Sequence, residues 1–285
     1  MRKLALLMGA FFLLALAAAS LPSAGADPQQ SGRAAITPPP VNKKFDYQIG
    51  DPYKPPHGVK IVSRDWYDGD PIPNGYSICY VNAFQTQDNY PGVNRPDERN
   101  NWPKSLVLKK LGDDPHWGGE YLVDISTASK RRHAAQWVSQ MIDKCAQKGY
   151  DAVEYDNLDS WTRFNGTPLS GKVPFGKKQA VKYAAALTDR AHDLGMAVGQ
   201  KNTSQLSKTQ SLDTIGFDFA IAEECGHYRE CGTYTKVFGN HVISIEYKRK
   251  YFKRTCKAIG KKVSVVMRDR LVTSPGSRTY VYDAC

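Results

Sequence analysis

Apolar and polar positions alternate in short runs along most of the chain from about residue 60 onward. Alternation with a period of two, rich in β-branched and aromatic residues, is typical of β-strands. The pattern predicts eight strands, which are KIVSRDWY (60–67), YSICYVNAF (76–84), EYLVDIS (120–126), YDAVEYDN (150–157), MAVGQKN (196–202), FDFAIAEE (217–224), HVISIEY (241–247) and KVSVVMRD (262–269).

Between several of these runs the apolar spacing changes to that of a helix. Two segments, 130–148 and 177–194, repeat small or apolar residues at helical intervals, and each is followed by a glycine suited to a C-cap, Gly149 and Gly195. Strands that alternate with helices over some 225 residues predict an α/β fold, a single (β/α)8 TIM barrel. The main alternative is a doubly wound open sheet, but no G-x-G-x-x-G follows the first strand to support a dinucleotide-binding form.

The N-terminus has the pattern of a secretory signal. Arg2 and Lys3 precede the apolar run LALLMGAFFLLALAAA, and Ala24 and Ala26 then stand at A-x-A spacing. We expect a signal peptide at 1–26, a proline-containing linker at 27–44 and the barrel domain at 45–285. The alternative is an uncleaved anchor, but the run is short for a span and no other stretch could cross a bilayer. The mature protein is therefore expected to be secreted, monomeric and without a membrane anchor.

The net charge leaves several partners open. The chain carries 39 basic and 28 acidic residues and a formal charge of +11, and the predicted leader removes two of the basic residues, which leaves +9. Such a charge fits nucleic acid, an anionic polymer or solubility alone. Because the basic residues are dispersed apart from KRKYFKR at 248–254, and no nucleic-acid motif accompanies them, no nucleic-acid partner is expected.

The six cysteines all follow the leader, and an even number in an exported chain indicates disulfides. Cys225 and Cys231 could close a small loop, and Cys256 and Cys285 could fasten the C-terminal tail. Cys79 and Cys145 either pair or remain buried thiols. No C-x-x-C spacing occurs and the histidines are scattered, so we expect no metal site.

The segment GYDAVEYDNLDSW at 149–161 places four carboxylates in and after the fourth predicted strand. Strand alternation puts Glu154 and Asp156 on the same face as Ala152, with Val153 and Tyr155 on the other face. In such barrels the catalytic groups lie at the C-terminal ends of the strands. Asp156 is therefore expected at the barrel mouth.

Other predicted strands also end in polar side chains, and aromatic residues accompany them. Each acid taken alone is explained equally well by a salt bridge or a helix cap. Several acids converging on one rim with aromatic rings instead indicate a carbohydrate cleft, in which glycoside hydrolysis uses two carboxyl groups. The residues concerned are Asp124, Lys201, Asn202, Glu223, Glu224 and Glu246, with Trp66, Tyr80, Trp161, Tyr228 and Tyr247.

Four of these segments, YDAVEYDNLDSW, AVGQKN, FDFAIAEECGHYREC and HVISIEY, closely resemble glycoside hydrolase family 114, the endo-α-1,4-polygalactosaminidases. The resemblance is ordered and covers about residues 60–250. It implies a barrel that cleaves α-linked galactosamine polymers. No nucleotide or flavin site is evident in the sequence and glycoside hydrolysis needs no cofactor, so none is expected.

The resemblance also implies a catalytic pair formed by Asp156 and Glu223. For this pair we predict that Asp156 is the nucleophile and Glu223 the general acid and base, with inversion as the alternative to retention. The alternation of strand faces does not show whether Glu223 or Glu224 is the catalytic glutamate, because the exact register is not known. The spacing between the glutamate and the cysteine in the family motif, matched to Cys225, selects Glu223.

Further residues are expected to bind the substrate or to position the pair. Asn157, Asp159, Asn202 and Glu246 match other positions of the family motifs. Their location at or after strand ends adds Asp124, Glu154, Trp161, Lys201, Tyr228 and Tyr247.

Two positions depart from the family pattern, Tyr155 and Ala222, the latter standing where the family has an asparagine before the catalytic glutamate. Ala222 keeps a second hypothesis open, a catalytically weak polysaccharide-binding barrel. A third hypothesis is a basic exported protein that binds nucleic acid or anionic wall polymers through the 248–254 cluster. A cationic galactosamine polymer would also be repelled by a charge of +9, unless acidic groups at the rim outweigh it locally.

Overall fold

The computed structural model describes residues 35–87 and 102–285. Within them nine strands form one sheet in chain order. The first eight pair in parallel, and the ninth pairs antiparallel with the eighth. The strands are β1 (Lys44–Gln48), β2 (Val59–Asp65), β3 (Tyr76–Val81), β4 (Ala152–Tyr155), β5 (Ala197–Lys201), β6 (Phe219–Glu223), β7 (Val242–Glu246), β8 (Ser264–Arg268) and β9 (Tyr282–Ala284).

Helices connect most of the later strands, as expected for a (β/α)8 barrel. Both helices predicted from the sequence are present, and Gly149 ends the first of them in the left-handed conformation. The α-helices are α1 (Ala128–Lys148), α2 (Lys177–Asp193), α3 (Cys225–Tyr228), α4 (Cys231–Phe238) and α5 (Arg249–Ile259). Short 3-10 turns occur at Lys104–Leu106, Lys109–Leu111 and Ser160–Thr162, and a π-helical turn at Gln210–Ile215.

Two strand assignments from the sequence were wrong. The run at 120–126 forms only isolated bridges, because its amides bond to loops: Val123 donates to Phe84 and Asp124 donates to Leu106. The first strand of the barrel is instead β1, which lies earlier in the chain and begins at the last residue assigned to the linker. The missed strand β1 precedes YDAVEYDN and the wrongly assigned run at 120–126 also precedes it. The two errors offset each other in the count, so YDAVEYDN is the fourth strand, β4, as predicted. The predicted leader and residues 27–34 of the linker lie outside the described residues.

The inward and outward faces of the strands alternate as predicted. Ala152 packs in a cluster inside the barrel with Phe219 and Ile245, whereas Val153 and Tyr155 pack in the outer layer beneath the helices. Side chains thus fill the barrel, and the polar residues at its C-terminal end stand on a packed floor.

The barrel closes between β8 and β1 through side chains. Arg268 on β8 donates to Asp46 on β1 at 2.9 Å, and both side chains are fully buried. Arg268 also donates to the carbonyl oxygen of Val281 at 3.0 Å, just before β9. A buried ion pair and an antiparallel strand therefore take the place of a continuous β8–β1 ladder.

All six cysteines form disulfides, and two of the three pairs are those suggested by the sequence. Cys225–Cys231 closes the turn between α3 and α4, and Cys256–Cys285 ties the C-terminus to α5. Cys79 and Cys145, left open by the sequence, join β3 to α1. Among the described residues, no helix is long and apolar enough to cross a membrane.

Candidate active site

A cleft of about 940 Å³ lies at the C-terminal ends of the strands. Asp156 and Glu223, which follow or end β4 and β6, both line it. The loops that follow β3, β4, β5, β6 and β8 supply most of the remaining wall. The parallel strands therefore bring together side chains that lie far apart in sequence.

Asp156 is surrounded by donors. Tyr80 donates to its Oδ2 at 2.7 Å, and the Asn157 amide and Lys201 Nζ donate to its Oδ1 at 2.8 and 3.2 Å. Burial alone would raise the pKa of Asp156, but the ammonium of Lys201 and these hydrogen bonds hold it below its ordinary value. Asp156 is thus held as a carboxylate.

Glu223 is held by two neighbouring strand ends. The Asn202 side chain, after β5, donates to Glu223 Oε2 at 2.8 Å and accepts from the Glu223 amide at 2.8 Å. The Tyr247 hydroxyl, after β7, donates to Oε1. Both Asn202 and Tyr247 therefore fix the direction of the Glu223 carboxyl group.

Lys201 lies between the two carboxyl groups and is only 1% exposed. Its Nζ is 3.2 Å from Asp156 Oδ1 and 3.5 Å from Glu223 Oε2, so these oxygens are no further apart than the sum of those distances. Burial would lower the pKa of Lys201, but the surrounding carboxylates raise it well above its ordinary value. Lys201 is therefore a permanent cation within the site, and it also donates to the Tyr47 hydroxyl at 2.8 Å.

Glu154 lies below the cleft and is fully buried. Ser63 donates to its Oε1, while Oε2 lies 3.7 Å from Lys201 Nζ and has no hydrogen-bond partner among the described residues. Burial, only partly offset by Lys201 and Ser63, raises the pKa of Glu154 to about 7. Glu154 thus lies behind the cleft lining, within ion-pair distance of Lys201.

The structure brings six of the ten predicted substrate-binding residues to the cleft lining, and these are Asn157, Asp159, Lys201, Asn202, Tyr228 and Tyr247. Besides Glu154, three lie elsewhere. Glu246 faces outward from β7 and accepts from the Gly226 amide at 2.6 Å. Asp124 accepts from Ser126 and Lys130 at the start of α1, and Trp161 packs against the outer core.

Glu224 diverges from Glu223 because the backbone turns between them. Glu224 has a φ of 53°, in the left-handed region that is uncommon for residues other than glycine. Its carboxylate lies 3.2 Å from His227 Nδ1 and 3.6 Å from an Arg270 nitrogen. Glu224 therefore lines the cleft but forms its ion pairs with His227 and Arg270, and not with Lys201.

Several lining residues were not predicted from the sequence. Tyr47 belongs to the missed strand β1, and Glu120 belongs to the loop that was read as a strand. Glu120 accepts from Asn82 at 3.3 Å, and burial raises its pKa to about 8. Only a correct placement of β1 and of the loop at 120–126 would have revealed these residues.

The lining is acidic although the whole chain is basic. Eight carboxylates contribute to it against three Lys or Arg side chains. The carboxylates are Asp51, Asp68, Glu120, Asp156, Asp159, Glu223, Glu224 and Glu230, and the cations are Arg163, Lys201 and Arg270.

Comparison with known families identifies the chain. Glycoside-hydrolase family GH114 matches residues 25–285. The chain belongs to this family. The resemblance noted in the sequence and the predicted barrel are thereby confirmed, and membership makes the protein a glycoside hydrolase by family.

Two solved structures share the fold. Ega3 of Aspergillus fumigatus, in complex with galactosamine, aligns with a TM-score of 0.69 and 21% identity, covering 88% of this chain and 98% of that chain. A variant of the glycoside hydrolase domain of PelA from Pseudomonas aeruginosa aligns with a TM-score of 0.53 and 10% identity, covering 82% and 96%. No curated protein sequence is significantly similar. At these identities the likeness shows a common fold.

Proposed function

We propose that the protein is a secreted, endo-acting glycosidase that cleaves α-1,4-linked galactosamine-type polysaccharide with Asp156 and Glu223. The observation that carries the proposal is the arrangement of these two carboxyl groups, which face one cleft and share the buried ammonium of Lys201. Two carboxyl groups flanking the scissile bond are the usual machinery of glycoside hydrolysis.

In the proposed reaction Glu223 protonates the glycosidic oxygen while Asp156 attacks the anomeric carbon. The bond to the leaving sugar breaks and a glycosyl–Asp156 ester forms. Glu223, now a carboxylate, takes a proton from water, and the resulting hydroxyl displaces Asp156 and releases the product. The low pKa of Asp156 suits a nucleophile, which must be ionised before attack.

A nucleophilic Asp156 predicts retention of anomeric configuration. Retaining enzymes hold them about 5–5.5 Å apart and inverting enzymes about 6.5–9.5 Å apart. The oxygens that face Lys201 are no further apart than the sum of its contacts of 3.2 and 3.5 Å, a limit that spans the retaining range and the start of the inverting range. The expectation of retention rests on the nucleophilic role proposed for Asp156. We therefore expect an α-configured product at first release.

The acidic lining supports a substrate with free amines. Protonated galactosamine units would be attracted by the ionised carboxylates of the cleft, whatever the net charge of the whole surface. The similar fold of Ega3 was determined with galactosamine, which fits the same substrate class.

Secretion is part of the proposal because the fold contains three disulfides, and these persist in oxidising compartments. The signal peptide at 1–26 remains a prediction from the sequence.

The alternative of a catalytically weak binding protein rested on Ala222. In the structure Ala222 is fully buried in the outer core and does not face the cleft. Asn202 supplies the amide that bonds to Glu223. Tyr155, the other departure from the family pattern, also faces outward and donates to the Leu187 carbonyl oxygen at 2.9 Å. Neither departure therefore removes a group from the site, which favours the active enzyme.

The test is to incubate the secreted protein with α-1,4-galactosamine polymers of defined acetylation and to analyse the products by mass. We expect a ladder of oligosaccharides early in the reaction, as internal cleavage produces, and an α-anomer in the first NMR spectra. Release of monosaccharide alone would contradict endo action, and no products from any polymer would contradict the proposed function.

A further inference from the structure

Residues 224–231, named here the disulfide loop, form one part of the cleft wall. The segment follows β6 and contains α3, and the Cys225–Cys231 bond joins the first residue of α3 to the first residue of α4. The loop contributes two carboxylates and one aromatic ring to the cleft, from Glu224, Glu230 and Tyr228. None of these side chains contacts Asp156 or Glu223 in the bonds described above, so the loop offers a surface beside the catalytic pair.

The Tyr228 ring is displayed on a stack of side chains. It is 64% exposed and stacks on His227 with ring centroids 4.6 Å apart and an interplanar angle of 25°. His227 stacks in turn on Tyr251, at 4.2 Å and 18°, and the Arg254 guanidinium lies 5.0 Å from the Tyr251 ring centre. One face of Tyr228 is therefore supported by the stack, and the ring remains accessible.

The backbone of the disulfide loop is also held in place. The Gly226 amide donates to buried Glu246, and Arg254 donates to the carbonyl oxygens of Gly226 and His227. A Cβ at Gly226 would lie 1.9 Å from Thr255 Oγ1, so only glycine permits this contact between the loop and α5. Because the loop is already ordered by these bonds, a ligand would lose little affinity in ordering it.

The chemistry of this surface fits a sugar that carries an ammonium group. The Glu230 carboxylate accepts from Ser204 at 2.8 Å and forms no ion pair with another described residue, whereas Arg270 lies 3.6 Å from Glu224. The flat face of Tyr228 suits the apolar face of a sugar ring and attracts a cation placed over it. An N-acetylated sugar would keep the ring contact but lose the attraction to the charge.

We propose that Tyr228 and Glu230, supported by Glu224, form a binding subsite for a protonated amino-sugar unit on the Glu223 side of the cleft. The proposal rests on the proposed function and deepens it, because it states which residues select the free amine. The disulfide loop thus holds a sugar unit beyond those that contact the catalytic pair.

The test measures binding in the Asp156→Asn protein, so that the ligand is not cleaved. Calorimetric titrations use galactosamine oligosaccharides with free amines and the same oligosaccharides fully N-acetylated. Tyr228→Ala should weaken binding of both ligands, by roughly threefold to thirtyfold for the free-amine form. Glu230→Gln should weaken binding of the free-amine form only. Matched controls are Tyr67→Ala and Asp213→Asn, since Tyr67 and Asp213 are exposed and lie outside the cleft lining.

The results of these titrations test the proposed subsite independently of the proposed hydrolysis. If Glu230→Gln weakens both ligands equally, or if Tyr228→Ala binds as tightly as the Tyr67→Ala control, the subsite is wrong even when the unmodified protein cleaves polymer. If the unmodified protein cleaves nothing but Tyr228 and Glu230 still discriminate the amine, the subsite stands and the proposed hydrolysis fails. Thermal unfolding of each variant verifies that it is folded.

Discussion

The position of Lys201 explains how two acidic side chains can face the same cleft. Three carboxyl groups, those of Glu154, Asp156 and Glu223, lie within 3.7 Å of its single ammonium group. Carboxylates at such short range would repel one another and raise each other's pKa values without a cation between them. The lysine therefore permits an ionised Asp156 beside Glu223.

Substitution of the proposed pair gives the most direct test at the residue scale. Asp156→Asn and Glu223→Gln should each lower kcat on polymer by at least about a thousandfold, because each removes a group that exchanges a bond or a proton with the substrate. Both changes are nearly isosteric, so each variant should still fold, and thermal unfolding verifies this.

Glu224→Gln tests whether the acid is Glu223 or its neighbour, and because Glu224 belongs to the proposed subsite its loss should act on KM more than on kcat. Its carboxylate contacts His227 and Arg270, away from the shared lysine, so the loss in kcat should be at most about tenfold. If Glu224→Gln abolishes turnover while Glu223→Gln does not, the assignment of the acid is wrong by one residue.

Glu154 predicts a pH dependence of stability. Its pKa is raised from 4.5 to about 7 in the folded protein, so the folded state binds more protons than the unfolded state between these values. The free energy of unfolding should therefore fall as pH rises through this window, by an amount on the order of 3 kcal/mol. Urea unfolding at pH 5 and pH 8 measures the total fall, to which Glu120 also contributes because its pKa is raised to about 8.

Glu154→Gln removes the titrating group and keeps its size. The difference in stability between pH 5 and pH 8 should be smaller in this variant than in the unmodified protein, whatever the absolute cost of the substitution. An unchanged pH dependence would show that Glu154 ionises in the folded state as it does in the unfolded one.

At the scale of elements, the C-terminal segment completes the barrel. β9 pairs antiparallel with β8, Arg268 bonds to the segment just before β9, and Cys285 is joined to α5. Residues that follow the last parallel strand thus cover the place where β8 and β1 meet without a backbone ladder.

The two shorter-range disulfides make a matched pair for testing this role. The Cys256–Cys285 bond closes 29 residues and the Cys225–Cys231 bond closes six. In the chain-entropy description their loss costs about 3–4 and about 2 kcal/mol of unfolding free energy, respectively. We expect Cys256→Ala with Cys285→Ala to be the more destabilising double variant in urea unfolding, and equal losses would contradict a closing role for the tail.

At the scale of the whole molecule, charge is distributed unevenly. The chain is basic, with a formal net charge of +11, yet the cleft is lined by an excess of carboxylates. Because charges are screened over about 8 Å at physiological ionic strength, a bound polymer senses the lining more than the distant surface.

This distribution predicts a salt effect that depends on acetylation. For free-amine polymer, kcat/KM should fall as salt rises from about 0.05 to 0.5 M, because the attraction to the cleft is screened. For fully N-acetylated polymer, the same change should have little effect. Rates that rise with salt for the free-amine polymer would indicate that the basic surface dominates instead.

The sequence alone determined what depends on neighbours in the chain. Periodicity located α1, α2 and seven of the parallel strands, and parity placed Glu154 and Asp156 on the inner face of β4. The strand at 44–48 was not predicted because the run is short, contains few apolar residues and adjoins a proline-containing segment. The run at 120–126 was wrongly assigned as a strand because its apolar and polar residues alternate. Its backbone forms hydrogen bonds with loops and not with a neighbouring strand.

Only the tertiary structure decided which strand-end groups meet. Glu246 and Glu223 have the same sequence signature, yet one faces outward to Gly226 and the other faces the cleft. The sequence does not reveal that Lys201 is the cation shared by three carboxyl groups. These groups lie on or directly after β4 and β6, and they approach Lys201 only in the assembled barrel. Local pattern determines which face of a strand a side chain occupies, but the distances between strand ends depend on closure of the whole sheet.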